Sequence, residues 1–170
     1  FKMTIHGPND RYINDAKIAE ALAQMLNRVG IEASVETMPK AVYFKRASRG
    51  GPNKSPEFSF MLLGWGAGSG EASSPLKALL HTYDKSKGLG AANRGRHSDA
   101  EVDKLVKQAL ATVDADARGA LLAKATEKAV GENYGVIPMH YQVNTWAAKA
   151  GYKYLPRTDE RTIVTGLSNN

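Results

Sequence analysis

KMTIHGPNDRYINDAKIAEALAQMLNRVGIEASVET, residues 2–37, changes its hydrophobic period twice, and those changes decide the fold. From Lys2 to His6 the side chains alternate, with Met3 and Ile5 on one face, which is the period of a strand. Asn14 is placed to cap a helix, and beyond it Ile18, Leu22, Met25, Leu26 and Val29 form a helical stripe. Gly30 suits the left-handed position that ends a helix. Alternation then returns, with Ile31, Ala33, Val35 and Thr37 set against Glu32, Ser34 and Glu36. Strand, helix and strand in this order predict a βαβ unit with parallel strands and a right-handed crossover.

The next segments extend that unit. Pro39 opens a helix to about Ser48, with Val42, Tyr43, Phe44 and Ala47 available for burial, and GGPNKSP ends it. Phe58 to Leu63 is nearly continuous apolar sequence and predicts a central strand covered on both faces. Ser74 and Pro75 can start a short helix, Leu76 to His81, before TYDKSKGLGAANRGRHSD, residues 82–99, which reads as a long surface loop. Ser98 and Glu101 have capping-box spacing, and Val102, Leu105, Val106, Ala109, Leu110 and Val113 line the helix that follows. Asp114 or Asp116 caps a partner helix carrying Leu121, Leu122, Ala125 and Ala129, which makes a helical hairpin. Val136 to Val143 and Thr145 to Ala148 are expected as strands around Pro138. The expected fold is α/β, a single lobe over residues 1–170 with a mixed, mainly parallel sheet, flanking helices and a C-terminal helical hairpin.

Composition excludes several classes. At 170 residues, 42% hydrophobic and 24% charged, the chain can bury a core and is neither disordered nor fibrous. Without cysteine it has no disulfide, thiolate metal site or cysteine nucleophile. A start at Phe1 rather than methionine is expected of a chain processed or cut from a longer one, with a targeting segment ahead of it. The net charge of +6 raises the question of nucleic acid, but the cations are spread among 17 acids. The densest run, KRASRGGPNK at 45–54, lacks interleaved aromatics and reads as a solvated basic face.

The stretch FMLLGWGAGSGEASSPL, residues 60–76, carries the functional question. A glycine loop after an apolar strand invites phosphate, yet no GxxxxGK[ST] occurs, and GxGxxG fails because Ser69 or Glu71 stands where the third glycine belongs. Ser69 is not a nucleophile elbow either, since Ala67 and Glu71 occupy the flanking glycine positions. Ser74 and Lys77 match SxxK, the spacing of a serine hydrolase pair, but SDN and KTG are missing, and Ser before Pro also starts helices. His6, His81, His97 and His140 show no metal-ligand spacing. Trp65 is either core or a flat apolar wall with one N–H donor, placed at the carboxyl end of a strand where open α/β sheets bind ligands.

Taken in order, four stretches make the chain resemble the C-terminal lobe of the family 5 extracellular solute-binding proteins, the receptors of dipeptide, oligopeptide and nickel ABC importers. They are NDAKIAEALAQMLNRVGIEASVE with the strand before it, FSFMLLGWGAGSGEASSPL, ANRGRHSDAEVDKLVKQALATVDADARGALLAKA and VIPMHYQVNTWAAK. The resemblance implies a non-enzymatic protein without a cofactor, periplasmic or tethered to the cell surface. Its partners would be a small-molecule or peptide ligand, the N-terminal lobe of the same protein and a membrane permease, with no nucleic acid. Peptide is the first ligand class; an opine, glutathione-like or metal-chelate ligand is the second. By this resemblance the ligand would meet Trp65, Gly66, Gly68, Glu71, Ser73 and Ser74, with Asn93 and Asn144 contributing. Related peptide receptors place an aspartate three residues after this Trp to hold the ligand's amino group. Gly68 stands there in this chain, and Glu71 matches a second, less uniform acidic position.

Overall fold

The computed structural model describes residues 1–68, 70–157 and 159–169. Its strands β1 (Lys2–Pro8) and β2 (Glu32–Met38) pair in parallel, from Lys2 opposite Glu32 to Pro8 opposite Met38. Helix α1 (Asp15–Arg28) joins them, so the βαβ unit forms as the periodicity demands. Gly30 ends α1 at φ +87°, and the Ile31 N–H closes back onto Leu26 O at 3.1 Å. The N-terminus of α1 departs from expectation. Asn14 takes a left-handed φ of 57° and makes no side-chain cap, while the buried Asp15 carboxylate accepts from the N–H groups of Arg11, Tyr12 and Ala16. Two of these donors lie in the loop before α1, so Asp15 ties the loop to the first turn through charge-assisted bonds.

The buried face of α1 is also rotated. Ala19 and Ala23 touch the sheet, flanked by Ile18, Leu22 and Leu26, whereas Met25 and Val29 of the expected stripe are exposed. Small residues at the contact let the helix lie close over Ile5 and Leu62. Phe58 to Leu63 is not the central strand that its apolar run suggests. It meets β1 through one parallel bridge, His6 with Met61, so among the described residues β1 lies between β2 and this segment, which pairs on one side alone. Ser59 is exposed between buried Phe58 and half-buried Phe60, and an edge needs only one covered face.

Helix α2 (Lys40–Arg49) covers the end of this sheet with Tyr43 and Ala47, which pack with Met38 and Phe58. Tyr43 is buried, its hydroxyl donates to Leu62 O at 2.8 Å, and burial pushes its pKa up. Beside it Arg46 donates to both Glu36 and Glu57, and its guanidinium lies over the Phe58 ring at 4.9 Å. The Arg46 hydrogen bonds hold both carboxyls below their ordinary value. The folded protein therefore binds these protons less readily than the unfolded chain, whose Glu titrates near about pH 4.3. The stability they contribute is full above that pH and lost as pH falls through the lowered folded values. In melting curves taken down to acid pH, Arg46→Met is expected to flatten the decline in this window; an unchanged acid limb would show that other carboxylates carry it.

The second half is helical. Helix α3 (Ser73–Pro75) continues into a wider turn over Leu76–Leu80, where the His81 N–H reaches Leu76 O. Helices α4 (Ala100–Ala111) and α5 (Ala115–Thr126) form the expected hairpin around Val102, Val106, Ala109, Leu122 and Ala125, with Leu76 and Leu80 against them. Leu110 and Val113, expected on the inner stripe, are exposed. Asp99, not Ser98, caps α4 by accepting from Glu101 N and Val102 N. Ser98 pairs with Thr82 instead, and Glu101 reaches Lys128. Asp114 caps α5.

The expected strands at Val136–Val143 and Thr145–Ala148 do not form. Ile137, Met139, Tyr141 and Val143 alternate in the sequence along an exposed path with no regular structure, and no backbone hydrogen bond from it is found among the described residues. Alternation marks a face to be covered, and nothing among the described residues covers it. The C-terminal sheet is a short antiparallel pair instead, β3 (Tyr152–Tyr154) with β4 (Leu167–Asn169).

Candidate ligand-binding site

Residues 64–74 leave the edge segment at the carboxyl end of the sheet. Gly64 begins the turn because the Tyr12 ring lies where a side chain would go, with a Cβ only 2.9 Å from Tyr12 Cε1. The Tyr12 hydroxyl donates to Gly64 O at 3.2 Å, which fixes the exit of the strand against the βα loop. Trp65 follows at 45% exposure, too open for a core residue. A methyl group placed on Gly66 or Gly68 would meet no atom within 4 Å, so the loop faces open space beside the indole. Ser69 lies outside the described residues, and Gly70 completes the turn at φ +75°.

Glu71 closes the loop onto the helical hairpin. One carboxylate oxygen accepts from Ser73 Oγ at 2.5 Å, and the other meets Arg118 Nε of α5 at 3.1 Å. Ser73 is buried and Ser74 half-buried at the start of α3. Sequence reasoning misses Arg118 because nothing local links α5 to a loop some forty residues earlier.

Of Trp65, Gly66, Gly68, Glu71, Ser73 and Ser74, the structure joins Glu71 and Ser73 by a hydrogen bond, while Trp65, Gly66 and Gly68 lie on the open part of the loop. The two outlying residues do not join it by any hydrogen bond among the described residues. Asn93 is buried in the 82–99 loop, where its amide holds His81 O and His97 O and its oxygen accepts from His97 N. Asn144 lies on the unpaired C-terminal path, accepting from Gln142. Nor does a hydrogen bond connect Ser74 to Lys77, and no group of three His, Asp or Glu is placed to hold a metal, both among the described residues.

No family model matches the chain, and no curated protein matches its sequence. Solved structures do. HbpA2 from Haemophilus parasuis aligns at TM-score 0.76 and 19% identity, covering 99% of this chain and 32% of that one. OppA from Haemophilus influenzae, in complex with the peptide RPPGFSPFR, aligns at TM-score 0.76 and 24% identity, over 99% of this chain and 31% of that one. The fold is that of the family 5 solute-binding proteins. A third structure with the family 5 fold, NikZ from Campylobacter jejuni in complex with Ni(L-His), covers 79% of this chain and 25% of its own at TM-score 0.63 and 18% identity. The chain spans about a third of the length of the first two. The Gly64–Trp65 turn lies at the carboxyl end of the segment that bridges β1 in parallel, the end at which open α/β sheets habitually bind ligands.

Proposed function

We propose that the chain is one lobe of a two-lobed receptor that captures a small solute outside the cytoplasm and delivers it to the permease of an ABC importer. The observation that carries this reading is Trp65, a large indole left half-exposed at the end of the sheet beside open space over Gly66 and Gly68. An aromatic wall next to bare backbone suits a solute held by stacking and by main-chain groups. Hinge closure against a second lobe would supply the other half of the enclosure.

The matched structures include complexes with a peptide and with Ni(L-His), and both are compatible with this surface. Peptide is the first ligand class, with an opine, glutathione-like or metal-chelate solute second. The ligand is not held by an ammonium anchor at either acidic position. Gly68 carries no carboxylate, and the Glu71 charge is already balanced by Arg118. A buried ammonium without a counter-charge would cost several kcal/mol, so blocked or amine-free ligands are favoured.

The test is native mass spectrometry of the full-length protein purified without refolding, followed by fluorescence titration of the solute it carries. Glu71→Gln is expected to change affinity by no more than about threefold, as for a partly exposed ion pair. A large loss confined to ligands with a free amine would show that Glu71 is the anchor after all. A protein that emerges empty and responds to no peptide, opine or chelate would overturn the receptor reading.

A further inference from the structure

The basic run at 45–54 does not face solvent alone. The structure folds the 82–99 loop against the end of α2, bringing Arg94 and Arg96 beside Arg49 and Lys54 around a cavity of about 220 Å³. Ser48, Pro56, Tyr83, Ala91 and Asn93 complete its walls. Pro56 on its wall precedes the edge segment in sequence, whereas Gly64 and Trp65 follow it.

Four cations around one cavity repel one another unless something negative lies between them. Among the described residues none of the four forms an ion pair, whereas Arg46, Arg118, Lys128 and Arg157 all do. The last carbonyls of α2 supply a fraction of one negative charge at most. Two of the guanidiniums are held by aromatic faces rather than by acids. Arg94 lies over Phe44 at 5.4 Å with Nε donating to Ser48 Oγ, and Arg96 lies over Tyr83 at 4.1 Å. Stacking fixes the plane of a guanidinium and leaves donor edges for a planar or tetrahedral oxyanion.

The backbone is also held under strain around the cavity. Lys54 and Arg96 have φ of 60° and 55°, a region that long side chains rarely adopt. Buried Asn93 enforces the Arg96 turn by binding the main chain at His81 and His97. We propose that this cavity, lined by Arg49, Lys54, Arg94 and Arg96, is a second binding site that takes a small phosphate-bearing solute, inorganic phosphate or a phosphomonoester. Its volume suits a small anion better than an extended one. The several donors of stacked arginines match the charge and the three or four oxygens of that group.

The test titrates the full chain with inorganic phosphate at constant ionic strength, chloride replacing phosphate in the control, and follows the amide resonances of Gly95 and Arg96 together with the melting temperature. A saturable one-site response is expected, absent with chloride. Arg49→Gln and Arg96→Gln should each weaken it about tenfold or more, as loss of a hydrogen bond to a charged group does. Both side chains are exposed, so both variants should fold; without phosphate Arg49→Gln should melt no lower than the parent because a repulsion has been removed, whereas Arg96→Gln also gives up its stack over Tyr83. A lower melting temperature in both, with unchanged phosphate affinity, would make the cluster purely structural. A parallel arm uses vesicles containing phosphatidylglycerol. Association with vesicles without any response to inorganic phosphate would mean surface attraction rather than a pocket and overturn the proposal, as would no phosphate response at all.

Discussion

Asn93→Ala is expected to lower the unfolding free energy by about 3 kcal/mol, from the penalty of leaving several buried polar groups without partners. The side chain is 3% exposed and makes three hydrogen bonds, to His81 O at 3.0 Å, to His97 O at 2.7 Å and from His97 N at 3.0 Å. Alanine supplies none of them and leaves a space between main-chain segments that close on each other here. Gly90, at φ +60°, comes so near that a Cβ would collide with His81 O, so the surrounding backbone has little room to relax inward. The loop would therefore loosen as a unit, from the wide turn at Leu76–Leu80 to the cap of α4. Denaturant titration measures the effect, with Asn144→Ala as a surface control expected within about 0.5 kcal/mol of the parent. A change below about 1 kcal/mol for Asn93→Ala would mean that water replaces the amide, and the loop would then be more open than described.

Trp65→Ala is the corresponding test of the cleft. Ligand affinity is expected to fall about a hundredfold, the range seen when a central aromatic anchor is truncated. Trp65→Phe should retain most of it, since a flat apolar face remains although the N–H is lost. Stability should hardly move in either variant, because the indole is 45% exposed before any ligand arrives. The second tryptophan serves as the control. Trp146 donates to Thr162 Oγ1 at 3.0 Å and packs by Tyr154 at 5.9 Å, so Trp146→Ala should disturb the small C-terminal sheet and leave affinity unchanged. Binding by Trp65→Ala equal to that of the parent would remove the indole from the site.

The elements legible in the sequence are those whose signals are local. The alternation of Lys2 to His6 and the stop at Gly30 state their structure within a few residues and are found as read, and of the two carboxylates offered as caps for α5, Asp114 takes the place. Sequence and structure part where a neighbour distant along the chain decides the outcome. The run Phe58 to Leu63 is apolar enough for a central strand, but its place in the sheet depends on which side of β1 is free, and β2 takes the other side. Val136 to Val143 has a strand's alternation without a partner edge among the described residues. Asn14 makes no cap because its backbone turns left-handed, while Asp15, the first residue of α1, holds Ala16 N and the two loop N–H groups of Arg11 and Tyr12.

The same division runs through the candidate site. Trp65 and its glycines are singled out by their place after an apolar run and by the resemblance to the family 5 receptors, whereas Arg118, which neutralises Glu71, follows from no motif around either residue. Likewise the run at 45–54 reads as a solvated face because the sequence hides its encounter with Arg94 and Arg96.

The unpaired path from Ile137 to Val143 also bears on how the chain is cut. Proteases favour exposed backbone without hydrogen-bonded structure, and here such a stretch links the helical hairpin to β3 and β4 without being part of either. Tyr141, 98% exposed, offers an aromatic cleavage point in its middle. A single cut there would release the C-terminal piece while sparing both strand pairs and the α4–α5 core, so trimming of this protein should begin at that tyrosine and leave a resistant body behind.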